Sequence, residues 1–158
     1  GYLAVGTAME LAKTGEAGRI KLLVPDVPAI SAHWITPDDG SPTHWSRNEV
    51  MKASGDGGHL ETVKMLCHDW KQQFSDLDPY VFPGEMPDEV LKKLPACVIL
   101  TNEHCFLRKD AELFASRLLA HDKLLDYCVR PGISHYSDIA GLYSDKSSIF
   151  SEVLETYL

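Results

Sequence analysis

No run of apolar residues in this 158-residue chain approaches the ~20 that a membrane-spanning helix needs, so no membrane span is expected. Positive charge is in short supply: 15 Lys and Arg face 23 Asp and Glu, a formal net charge of −8. A nucleic-acid partner would want a basic stripe, so none is expected. The four cysteines, Cys67, Cys97, Cys105 and Cys128, form no C-x-x-C pair, and Cys97 and Cys128 lie inside apolar runs. They read as buried free thiols, which lean towards a reducing compartment. The absence of an N-x-S/T acceptor points the same way, and a cytoplasmic location is expected. No metal-ligand spacing and no cofactor fingerprint stands out, so neither a metal nor a cofactor is expected. There is no internal repeat, no low-complexity tract and no G-x-S-x-G.

What is present is an ordinary globular composition, 44% hydrophobic and 24% charged, in a length that suits one domain. The chain is organised around residues 94–119. An apolar run at 96–101 predicts a strand. Asn102-Glu103-His104-Cys105 reads as a polar corner, and an amphipathic helix follows from Leu107 to about His121. A second run, 124–130, predicts another strand, closed by the loop Pro131-Gly132-Ile133-Ser134-His135. Strand, helix, strand in this order makes a βαβ unit of a parallel sheet. Chemistry in such sheets sits just beyond the carboxyl ends of the strands, where Cys105 and His135 fall.

The remaining segments fit around that unit. Residues 1–15 read as a turn running into a helix, with Ala4, Ala8, Met9, Leu11 and Ala12 on one packed face and Gly15 as its stop. A strand is expected at 20–24, closed by Pro25 and covered on both faces because its residues do not alternate. Residues 29–58 are poorly periodic and hold His33-Trp34 and His44-Trp45. With a helical pattern at 59–74, the span 29–75 is expected to be a lid-like or inserted segment. Residues 76–87 form a loop, 88–93 at most a helical turn, and 147–158 a closing helix. Three strands with long connections make a poor stand-alone sheet, and the first would be an open edge.

Several of these residues carry a resemblance. Asp78-Pro79-Tyr80, Leu94-Pro95, the strand CVILT at 97–101, Glu103, Leu107-Arg108, Asp110 and the helix ELFASRL at 112–118 resemble an α/β-hydrolase. The likeness is to the hormone-sensitive-lipase and arylacetamide-deacetylase branch of carboxylesterases. Residues 131–135 look like the loop that carries the catalytic His there. Residues 1–6 fall where that branch writes G-D-S-A-G-G, the nucleophile elbow, with Gly1, Ala4 and Gly6 matching. The resemblance implies a single partial α/β-hydrolase domain over residues 1–158, the carboxyl half of a domain about twice as long. Its HGGG oxyanion segment and first strands are not in this chain.

Carried over position by position, the resemblance implies a degenerate triad. The nucleophile position holds Leu3, the acid position of E-x-D-P-L holds Cys105, and His135 alone is retained. Loss of the nucleophile typically costs about 10⁶ in turnover. Glu103 is a possible substitute acid. Cys105 with His135 would be a nucleophile–base pair in another setting, but the acid position lies on the far side of the His from substrate. The expected function is a catalytically inactive, esterase-like chain that binds a small apolar ligand, serves as a scaffold subunit, or both. Leu3, Tyr2, Trp34, Trp45 and His135 are the expected ligand-binding residues. The alternative is one fragment of an active carboxylesterase. The expected partner is the amino-terminal half of the domain, as a separate or cleaved chain, whose last strand would pair with residues 20–24.

Overall fold

The apolar run that begins at Cys97 is buried on both sides, which is why its residues do not alternate. It forms strand β1 (Cys97–His104), which pairs in parallel with β2 (Leu124–Ser134). The crossover between them is helix α3 (Arg108–Leu119). Among the described residues the α-helices before β1 are α1 (Tyr2–Lys13) and the one-turn α2 (Asp88–Leu91), and α4 (Lys146–Tyr157) follows β2. The computed structural model describes residues 1–31, 78–105, 107–134 and 146–158, with backbone alone at 134 and 146–150. The expected helix at 59–74, nearly all of the lid-like segment, Trp34, Trp45 and His135 lie outside the described residues.

Two expectations about β1 and β2 need correction. Asn102, Glu103 and His104 do not form a corner, because β1 continues through them. Nor do residues 131–134 form a loop after β2: the strand runs on to Ser134, and His104 pairs with Ser134 across a register shift. Pro131 has no N–H to give a ladder, and Gly132 takes a left-handed φ of 69°. Together they make a bulge within the strand rather than its end. A second shift, between Cys97 and Val98, leaves Leu125 without a register partner and half-exposed.

Residues 20–24 do not form a regular strand. The pairing lies further along, over Leu23 to Val27, through isolated parallel bridges to β1. Leu23 N–H donates to the Ala96 carbonyl at 2.9 Å, and Val98 N–H donates to the Leu23 carbonyl at 3.0 Å. Pro25 does not close it: its carbonyl accepts from Leu100 N–H at 3.0 Å and Val27 N–H reaches the Leu100 carbonyl at 2.9 Å, while the N–H that Pro25 lacks interrupts the ladder towards β1. Val27 then turns out of the extended region at φ 38°, an uncommon conformation for a β-branched residue.

The core has two parts, one on each face of β1. Cys97 and Ile99 face α1 and α3, with Leu23, Met86, Leu91 and Leu94 filling between. Val98 and Leu100 face α4 through Val153, with Leu22, Val24, Cys128 and Tyr157 at the margin. The first paired segment is therefore covered on both faces, as its sequence pattern predicts. On α1 the buried face is Val5, Ala8, Met9 and Ala12, an i, i+3, i+4, i+7 stripe. Ala4 is exposed and Leu11 only half-buried, so that face is turned by one position from the expected one. Gly15 stops the helix as expected: at φ 80° it lets its own N–H reach the Ala12 carbonyl and Glu16 N–H reach the Leu11 carbonyl. Helices on both sides of a parallel sheet make this the α/β architecture read from the sequence.

Candidate functional site

β1, β2 and the Leu23–Val27 segment all point their carboxyl ends the same way, and the groups of interest collect there. Arg130, on β2, is buried. Its Nε donates to Asn102 Oδ1 of β1 at 2.6 Å, and its Nη2 is ion-paired with Asp26 of the first segment. One guanidinium thus ties all three strands together across the edge of the sheet. A buried cation demands this arrangement, since an unpaired one is costly and a fork of donors can meet two acceptors at once.

Cys105 follows β1 directly and is fully buried. Its Sγ accepts from Leu107 N–H at 3.3 Å. Burial pushes its thiol up to about 12, and the charges of Asp26, Arg130 and Asp110 also reach it. A thiol in this state is no nucleophile at neutral pH, because attack requires the thiolate. The thiol occupies the expected acid position at the strand end, in electrostatic range of the three-strand clamp.

Glu103, the possible substitute acid, has a different partner. Its carboxylate accepts from Gly132 N–H at 2.7 Å, and Arg108 donates to its carbonyl at 3.4 Å. The side chain thereby holds the Pro131-Gly132 bulge, three residues before His135. His135 itself lies outside the described residues, as do Trp34 and Trp45.

The amino-terminal end of α1 reaches the same edge. A Cβ on Gly1 would stand 2.5 Å from the Asp26 carbonyl oxygen and 2.5 Å from Pro28 Cα, so only glycine fits there. Leu3, at the expected nucleophile position, lies in the first turn of α1 with 78% of its surface exposed. It packs into no described core. Tyr2, expected to line a ligand site, donates its hydroxyl to the Tyr80 carbonyl at 3.0 Å, and Lys13 lies 3.8 Å over the Tyr80 ring. Tyr80, whose N–H donates to Asp78 Oδ1 at 2.9 Å, thus braces α1 at both ends, through Tyr2 and Lys13.

One further group emerges from the fold. Asp110, in the first turn of α3, is buried and accepts from Ile30 N–H at 3.3 Å, Ser31 N–H at 3.0 Å and Ser31 Oγ at 2.6 Å. From the other side, Gly84 N–H donates to the Ile30 carbonyl at 2.6 Å. This anchors the chain at the point where the expected lid-like segment begins. Asp110 carried the resemblance by sequence, but nothing local announced its partners, which lie 79 and 80 residues away. Among the described residues no cluster of three or more His, Cys, Asp or Glu could hold a metal ion, and no helix is long and apolar enough to cross a membrane.

No family model and no curated protein matches the chain by sequence. Solved structures do match. Brefeldin A esterase, a bacterial homologue of human hormone-sensitive lipase, superposes with a TM-score of 0.70 at 20% identity, covering 98% of this chain and 43% of the esterase. A hyperthermophilic esterase from the archaeon Pyrobaculum calidifontis gives 0.67 at 22% identity, with 97% of this chain and 46% of that one covered. Esterase Est22 gives 0.64 at 20% identity, with 98% and 44% covered. The chain therefore spans under half the length of the structures it matches. Its fold is that of the carboxyl half of an α/β-hydrolase.

Proposed function

We propose that this chain is a catalytically inactive, esterase-like subunit that contributes its half of a hydrolase fold to ligand binding or to a scaffold. The carrying observation is at residue 3, where the elbow position holds a leucine in the first turn of α1. The acid position supports the same reading, since Cys105 is a buried thiol pushed up to about 12 and cannot supply the carboxylate that would orient an imidazole. Glu103, the possible substitute acid, holds the Gly132 N–H with one carboxylate oxygen.

The proposed partner is a chain that supplies the amino-terminal half. Leu23 and Val27 turn their N–H groups to β1. Alternation turns the N–H and C=O of Leu22 and Val24 to the opposite edge, in position to continue a parallel sheet. The proposed ligand is a small apolar molecule held between that carboxyl edge and the 29–75 segment.

The test combines native mass spectrometry of the purified protein with an ester-hydrolysis assay on p-nitrophenyl butyrate. The expected result is a second polypeptide, with or without a small molecule that denaturation releases, and hydrolysis no faster than in buffer alone. Hydrolysis well above the buffer rate, with a serine-directed phosphonate labelling a partner chain, would instead support the reading of one fragment of an active carboxylesterase.

A further inference from the structure

We draw no further inference here: the strongest candidate, the cavity of about 460 Å³ beside α3 between Phe114, Arg117 and the Ile30-Ser31 and Gly84-Glu85 segments, carries nothing because its lining is apolar apart from polar groups already engaged within the protein, and nothing in the structure shows what covers it.

Discussion

At the scale of single residues, the fold separates the described thiols by their exposure. Burial pushes Cys97 and Cys105 up to about 12 and Cys128 up to about 11, and Cys128 is the one that is only half-buried. Of these three, Cys128 should therefore be alkylated first by iodoacetamide in the native protein at neutral pH, with Cys97 and Cys105 labelled only after denaturation. Peptide mass spectrometry of a labelling time course reads this directly, and early labelling of Cys105 would mean its environment is not the buried one described. The sign of the pH dependence follows. A thiol raised from 9 to about 12 keeps the folded state protonated after the unfolded chain has begun to ionise. Stability is thus unaffected below about pH 9 and falls between about 9 and 12, where the unfolded state binds fewer protons. Urea midpoints measured across that range should drop, and should drop less in Cys97→Ala or Cys105→Ala variants.

Asp110 makes a second residue-scale prediction. It satisfies two backbone donors and a hydroxyl, all buried. Asp110→Ala strands the Ile30 and Ser31 N–H groups and should cost about 3 kcal/mol, whereas Ser31→Ala removes one partner and should cost about 1–2 kcal/mol. Denaturant titration of the purified protein measures both. Equal costs would show that the carboxylate does not carry the anchor.

At the scale of elements, what holds the carboxyl edge is a guanidinium. Arg130 joins β2 to β1 through Asn102 and to the first segment through Asp26. Arg130→Met leaves the partly buried Asp26 carboxylate without its counter-charge and should destabilise by about 2–3 kcal/mol, while a double change with Asp26→Leu should recover much of that loss. A double-mutant cycle distinguishes this coupling from simple loss of packing. The glycines make a contrasting pair. At Gly84 a Cβ would stand 2.7 Å from the Ile30 carbonyl oxygen, so Gly84→Ala should break the anchor at Ile30. At Gly6, inside α1, no described atom lies within 4 Å of a Cβ. Gly6→Ala should therefore stabilise the helix by about 0.5–1 kcal/mol, as read from the same titrations.

At the scale of the whole molecule, the chain matches nearly all of its length to under half of each esterase. Leu3 is exposed at the start of α1, and the outward edge of the Leu22–Val24 stretch is met by no described strand. The isolated chain should not unfold cooperatively as a monomer at micromolar concentration. The Val24 amide should exchange quickly in isolation and become protected in the assembled protein. Hydrogen exchange on both preparations tests this, and strong protection of Val24 in an isolated monomer would overturn the proposed partnership.

The sequence by itself determined the layers. A short non-alternating apolar run between turn signals fits a strand covered twice, the 3.6-residue stripes fit helices laid on it, and a strand–helix–strand order with these lengths fits a parallel pair. The places that the resemblance implies for Leu3, Cys105 and Glu103 rest on order along the chain alone. Where β1 and β2 end was a tertiary decision. The polar Asn102-Glu103-His104 looked like a corner, yet Arg130 and Gly132 supply partners for Asn102 and Glu103 and let the strand continue. Pro25 and Pro131 looked like stops, yet pairing resumes beyond each: Pro25 gives up one donor to β1 but keeps its carbonyl in the ladder, and Pro131 falls in the bulge. The Asp110 anchor and the three-strand clamp were illegible for the same reason. Each joins residues 28 to 104 positions apart, and no local pattern records a hydrogen bond that exists only once the chain has brought its two ends together.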